Sequence, residues 1–329
     1  MNKVNNNNKN QVNKLHNTLT IANRYPTVFI VLLLTIAFSV ISPFFFTGGN
    51  MKTIMAGNAI IMIAAIGETL VLLTGGIDLS ISTVVSASAV LSGTVMLHTG
   101  NIFLGLIVAL SVGIIFGLFN GILIGYCGMT PFITTMGTQL VARGIAFIVS
   151  QGIAVKGTPE ALMNFGFSFF AGIPSVTVIS IVMIIISSVL LTKTTWGREV
   201  ILFGSNRKTA EYTGIDVRKL EMSVYLLSGL FAGVAGFISI ANLGNAIPGV
   251  GDTILLIIIG GVVIGGTSMN GGEGSIIRTV IGVGLLAILT NGLNLIGVPF
   301  YDQLIIQGIL IFIGNAIATK LSEKSPYAM

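Results

Sequence analysis

The run LVLLTGGIDLSISTVVS, Leu70 to Ser86, is apolar almost throughout, yet it holds one bare carboxylate, Asp78, just behind two glycines. No basic residue stands near it in sequence to neutralise it. Whether such a run belongs in a protein core or in a bilayer is decided by its surroundings. Of the 329 residues, 53% are hydrophobic and only 8% charged, and the mean hydropathy is +0.97. Soluble domains carry roughly 25% charged residues, so the chain reads as an all-α, polytopic membrane protein. Charge inside a membrane is costly and marks a functional group or a fully satisfied structural one.

Apolar runs of about 20 residues cross a bilayer as helix. The sequence predicts ten spans, at 27–46, 54–73, 79–97, 103–125, 130–150, 174–192, 222–242, 254–268, 276–296 and 301–319. Glycines interrupt the neighbourhoods of the third and eighth, which are expected to be broken or re-entrant. Such backbone is tolerated only where protein or a wet cavity covers it. Ten spans put both ends on one side, and lysine and arginine decide which. With the N-terminus inside, the cytoplasmic segments hold Lys3, Lys9, Lys14, Arg24, Lys193, Arg198, Arg207, Lys208, Arg218, Lys219, Arg278, Lys320 and Lys324, and the outer loops hold only Lys52 and Lys156. Both termini are therefore expected in the cytoplasm, and the net charge of +5 is topogenic charge near anionic lipid, with no nucleic acid as partner.

Residues 1–25 are polar and Asn-rich and read as a disordered cytoplasmic tail that is not cleaved, 26–320 as one transmembrane domain, and 321–329 as a second tail. Two loops are long. The outer one, 151–173, mixes Phe with few charges and suits an amphipathic surface segment or a docking partner. The inner one, 193–221, carries six basic and four acidic residues. Within it, NRKTAEYTGI reads as one short helix stopped by Gly214.

Catalytic chemistry has little to stand on. The lone Cys127 excludes an internal disulfide framework, and no Cys/His cluster has zinc spacing. No G-x-x-x-x-G-K-[ST] occurs, so the chain has no ATPase site of its own. The glycine-rich GGTSMNGGEGS, Gly265 to Ser275, reads as a tight cytoplasmic turn. His16 and His98 are far apart and no G-x-S-x-G elbow is present. The intramembrane charges Glu68, Asp78 and Arg143 leave three readings open: ion coupling, a structural pair or backbone cap, and a gate. An Asp78–Arg143 ion pair is attractive, but it requires a broken or re-entrant third span. Most of the 42 glycines are read as close helix packing. Polar side chains within spans, among them Asn120, Gln139, Asn291, Asn294 and Gln307, suit either interhelical hydrogen bonds or a lined pathway.

Three stretches, taken together and in order, resemble the ribose-type (monosaccharide) permease subunits of bacterial ATP-binding cassette importers, in the branched-chain amino acid/sugar permease superfamily. They are TGGIDLSIS, the segment from Gly197 to Ile238, and VVIGGTSMNGGEGSIIRTVIGVGLLAILTNGLNLIGVPFYDQLIIQG, Val262 to Gly308. The resemblance implies one half of a dimeric pore in the bacterial cytoplasmic membrane, built with a second permease copy or homologue. Separate ATPase subunits would hold ATP and Mg²⁺, so this chain binds no cofactor, and an extracytoplasmic binding protein would deliver the solute. It also implies that the inner loop couples to the ATPase through Asn206, Arg207, Ala210, Gly214 and Ile215. Arg207 and Lys208 stand where acidic residues are common in the family, and Thr209 where alanine is usual. After NAIPGVGD the chain continues TILLIII, where the family often has tyrosine–glutamate, which bears on the solute class.

On this reading Gly75, Gly76, Asp78 and Ser80 form a structural turn entering the third span, where the carboxylate accepts hydrogen bonds from free N–H groups at the helix start. Asn120, Gln139, Asn291, Asn294, Tyr301 and Gln307 are the expected solute pathway. Two alternatives are carried. In one, the same machine imports nucleosides or another small polar solute, although the only tryptophan, Trp196, is on the cytoplasmic side. A different class of protein, an ion-coupled carrier working through Glu68 and Asp78, would need no ATPase.

Overall fold

The computed structural model describes residues 26–323; the expected tail at 1–25 and residues 324–329 lie outside the described part. Thirteen helices make up nearly all of it: α1 (Pro26–Ile41), α2 (Gly48–Leu73), α3 (Ile81–Thr99), α4 (Ile102–Gly125), α5 (Pro131–Ser150), α6 (Glu160–Phe167), α7 (Ser175–Lys193), α8 (Thr195–Ser205), α9 (Arg207–Tyr212), α10 (Val217–Leu243), α11 (Leu255–Ile264), α12 (Ile276–Leu295) and α13 (Phe300–Glu323). A two-residue hairpin, β1 (Phe169–Phe170) with β2 (Ile173–Pro174), lies between α6 and α7. The fold class is the all-α, multi-pass one expected. Seven helices (α2, α3, α4, α5, α7, α10 and α12) are long and apolar enough to cross a membrane, and the shorter apolar helices Thr27–Ile41, Leu255–Ile264 and Phe300–Gly314 account for the other three expected spans.

Local chemistry sets the ends. Asn101 opens α4 by accepting the N–H groups of Phe103 and Leu104 at 2.9 and 3.1 Å, and Pro131 opens α5 where its missing N–H costs nothing. The first span stops at Ile41, five residues short of expectation, because Ser42–Pro43 starts a turn closed by the Phe45 N–H on the Ser42 carbonyl at 3.1 Å. The third runs unbroken from Ile81, and its irregular backbone lies before it, at Thr74–Ser80.

The eighth span is the broken one. The chain leaves α10 at Leu243, and Ala246 bridges to Val155. It then descends as turns against α3, where the Gly251 N–H donates to Ser86 Oγ at 2.8 Å. A side chain at Gly251 would collide with the Ser82 carbonyl. Only after that does the ten-residue α11 begin, about 15 Å of helix, half of what a bilayer needs.

The core is apolar and central. Spans α2, α3 and α10 are 72% to 78% buried over their most apolar windows, against 22% to 33% for α4, α5 and α7, which places the first three at the middle of the bundle. Glycines let α4 and α10 cross with backbones in contact: Gly113, Gly117, Gly121 and Gly125 recur every four residues on one ridge of α4 and meet the α10 main chain at Gly229, Tyr225, Met222 and Arg218.

Candidate functional site

Two polar assemblies stand out against the apolar bundle. The first is at the end formed by α8 and α9. Thr194 caps α8 by accepting the Gly197 N–H at 3.1 Å. Asn206, in extended backbone between α8 and α9, accepts the Thr209 N–H at 3.0 Å and starts α9. Gly214 at φ +84° ends that turn in the left-handed region. Of the expected coupling residues, Ala210 is fully buried, Ile215 packs on the core, and Asn206, Arg207 and Gly214 are exposed. The Ile215 N–H returns to the Ala210 carbonyl at 3.2 Å, so α9 is a compact knob with a polar outer face, where Lys208, Thr209, Glu211 and Tyr212 face outward. Arg207 ties it down, reaching Glu211 at 3.5 Å and Glu221 of α10 at 3.2 Å and lying 5.2 Å from the Phe203 ring.

The adjoining α8 is in backbone contact with the spans. A Cβ at Gly204 of α8 would fall 1.8 Å from the Leu73 carbonyl, and the Gly272 N–H donates to that same carbonyl at 2.9 Å. The GGTSMNGGEGS turn is therefore wedged between α8 and the end of α2, and Gly75 lies against Asn270 and Gly271.

The second assembly is the Thr74–Ser80 turn, which folds back inside the bundle. Asp78 is buried and accepts from both the backbone N–H (3.0 Å) and the hydroxyl of Ser80, and from Ser228 Oγ of α10 at 2.9 Å. Its own N–H donates to Glu68 Oε1 at 3.2 Å. Asn120 of α4 donates to Ser80 Oγ at 2.9 Å and accepts from Thr138 of α5 at 2.6 Å. The Leu79 N–H donates to Thr135 Oγ1 at 3.2 Å. Gly75, at φ +79°, makes the reversal, and Gly76 leaves room for the Tyr225 hydroxyl. One turn thus joins α2, α3, α4, α5 and α10. Low dielectric strengthens the hydrogen bonds that Asp78 accepts, while Glu68 Oε2 and the Tyr225 hydroxyl are buried beside it without a partner among the described residues. The attractive Asp78–Arg143 pair does not form: Arg143 pairs with Asp252 at 3.0 Å. The serines and backbone supply the donors that Asp78 needs.

The expected pathway residues do not gather in one place. Asn120 belongs to the Asp78 network. Gln139 lies half-buried on α5. The other four are in the α12–α13 hairpin: Asn291 exchanges hydrogen bonds with Asn50 at 2.8 Å each way, Asn294 accepts from Gln303 at 2.7 Å, and Gln307 donates to Thr290 at 3.0 Å. Tyr301 is 78% exposed beside Phe300.

Comparison with known proteins decides the family. Residues 50–314 match the family described as branched-chain amino acid transport system / permease component. The chain belongs to that family. Among its relatives, the ribose import permease protein of Bacillus subtilis is 36% identical over 292 residues, covering 88% of this chain and 91% of that protein. The D-allose transport system permease protein of Escherichia coli K12 is 34% identical over 302 residues, covering 91% and 93%. The L-arabinose transport system permease protein of the same organism is 30% identical over 302 residues, covering 92% of each. No solved structure matches the chain.

Sequence reasoning missed several partners within this permease: Asp252 for Arg143, Glu221 for Arg207, Ser228 for Asp78, Thr138 for Asn120 and Gln303 for Asn294. For the first a signal existed. Asp252 is the sole charged residue between Glu221 and Glu273, as Arg143 is between Asp78 and Lys156. Two lone, opposite charges in apolar surroundings are each other's cheapest partners.

Proposed function

We propose that this permease forms the membrane pathway of an ATP-binding cassette importer for a monosaccharide. The observation that carries it is the family match together with likeness, over some nine tenths of the chain, to permeases named for ribose, D-allose and L-arabinose. The α8–α9 end faces the cytoplasm, since it carries Lys193, Arg198, Arg207, Lys208, Arg218 and Lys219, while the opposite loops carry Lys52 and Lys156. The home membrane is the bacterial cytoplasmic one. Separate ATPase subunits bind ATP and Mg²⁺ and receive α9; a solute-binding protein docks at the α6–hairpin end; a second permease copy or homologue completes the pore.

The proposed coupling is mechanical. ATPase closure pushes α9, and α8 moves with it as a packed unit. Backbone contact at Gly204 passes the displacement to the end of α2 and to the Thr74–Ser80 turn. The Asp78 hydrogen bonds then carry it to α3, α4, α5 and α10, whose relative tilt opens one side of the pathway and closes the other. The permease makes and breaks no covalent bond. Asn206, Arg207, Ala210, Gly214 and Ile215 serve docking; Gly75, Gly76, Asp78 and Ser80 form the pivot; Asn120, Gln139, Asn291, Asn294, Tyr301 and Gln307 remain the polar candidates along the route.

The test is uptake of labelled D-ribose, D-allose and L-arabinose by proteoliposomes holding the permease, with and without its ATPase and binding protein. Uptake that needs both partners and ATP supports the reading. Uptake by this chain alone, driven by a proton gradient, refutes it and moves Glu68 and Asp78 to the centre.

A further inference from the structure

We propose that Arg143, Asp252 and Phe147 form a binding site for a neutral, vicinal-diol solute at mid-depth in the permease, where α5 meets the broken eighth span. Arg143 Nη2 lies 3.0 Å from Asp252 Oδ2, and the guanidinium carbon lies 5.7 Å from the centroid of the Phe147 ring. Gly249 closes the corner: a Cβ there would stand 3.3 Å from Asp252 Oδ2 and 3.8 Å from the Phe147 ring. The inference rests on the monosaccharide reading and names the site at which it is carried out.

Depth makes the pair unusual. Arg143 stands about 18 Å into α5, whose 20 residues span about 30 Å at 1.5 Å per residue. Asp252 follows Gly251, which is pinned to Ser82 and Ser86 in the first two turns of α3. Both charges are thus held well inside the bundle's length, yet their side chains are 53% and 28% exposed. Lipid against this face would leave half of a charged arginine side chain in hydrocarbon, which is strongly disfavoured. Irregular backbone such as Ala246–Ile254 at that depth likewise requires a wet cavity or protein over it. A wet pathway over this face meets both requirements, and α5 divides accordingly: Thr135, Thr138, Ala142 and Ala146 are buried against the bundle, while Gln139, Arg143 and Phe147 follow one another along the adjoining, more open flank.

The chemistry selects the solute class. The pair is neutral as a unit, so it offers nothing to a free ion that water does not. A guanidinium carries five N–H donors and a carboxylate only acceptors, which suits hydroxyls that both donate and accept. Phe147 adds an apolar face for the C–H side of a sugar ring.

The full complex of permease, ATPase and binding protein is reconstituted with Arg143→Gln, Asp252→Asn, Phe147→Leu and the charge-exchanged Arg143→Asp/Asp252→Arg. Uptake is measured for D-ribose, D-allose and L-arabinose, and for monodeoxy derivatives of whichever the unaltered complex takes up fastest. ATP hydrolysis stimulated by loaded binding protein reports that each variant is folded and assembled. Losing a hydrogen bond to a charged group predicts uptake reduced about 10- to 150-fold in Asp252→Asn, with stimulated hydrolysis within about twofold of normal. At least one monodeoxy sugar should suffer far less than its parent, because the hydroxyl that met Asp252 is already missing. Equal losses for every sugar, restored by the charge exchange, would make the pair a latch and overturn the proposal. Unchanged uptake would overturn it too. If the unaltered complex takes up none of these sugars, the monosaccharide reading itself fails, and the site falls with it.

Discussion

Replacing Gly113 by alanine tests whether the crossing of α4 and α10 holds the bundle together. An alanine Cβ there would lie 2.1 Å from the Gly229 carbonyl oxygen and 2.9 Å from the Gly233 nitrogen, where ordinary contact begins at 3.4 Å. Both obstacles are backbone, so no side chain can swing aside. The axes must part by about the difference of 3.4 and 2.1, some 1.3 Å. A gap of about 0.5–1 Å already forfeits a quarter to a half of each dispersion contact, and the loss extends along the Gly117, Gly121 and Gly125 contacts. Overpacking of this kind costs about 1–3 kcal/mol, equivalent for a chain of this length to a fall in Tm of roughly 1–4 °C. The lone Trp196, whose ring N–H donates to Ser223 of α10 at 2.8 Å, offers a fluorescence signal for the melt. Gly144 of α5 has nothing within 4 Å, so Gly144→Ala should melt as the unaltered protein does. Equal melting of Gly113→Ala and the unaltered protein, or an equal loss in Gly144→Ala, would refute the argument.

Three further outcomes are expected. Asp78→Ala strips acceptors from Ser80 and Ser228 and should cost about 1–3 kcal/mol, read as a lower Tm; a normal Tm would show that the network contributes nothing net. Asn206→Ala removes the α9 cap and should weaken the helix by about 0.5–2 kcal/mol, lowering affinity for the ATPase, with Asn206→Asp restoring it and an unaffected affinity counting against α9 as the docking element. The Asp216 carboxyl caps α10 and is held below the usual carboxylate range by the Lys219 side chain and backbone N–H. A lowered folded-state pKa means stability that is present above the unfolded value, about 3.9, and lost as pH falls below it. Hydrogen exchange at the Lys219 amide should therefore speed up as pH drops through that window, beyond the intrinsic rate change, and Asp216→Asn should abolish the dependence.

The membrane class, the ten apolar segments and the knob at Asn206–Ile215 were legible because each depends on local chemistry. Apolar run length, the Asn206 cap and the Gly214 reversal are one-dimensional signals, and the family resemblance rested on motifs kept in order. The ends of the first span and the true start of the third were less legible, since Ser42–Pro43 and Thr74–Ser80 are settled by a few turn bonds that composition does not register. Which polar group met which was decided only in three dimensions. Asp78 found Ser228 150 residues away and Arg143 found Asp252 because helix packing, set by glycine ridges and backbone contacts, fixes the rotation and depth of every span. A sequence states that a buried charge needs a partner. It is the packed bundle that chooses one, since hydrogen bonds fall away within an ångström and only tertiary placement controls distance that finely.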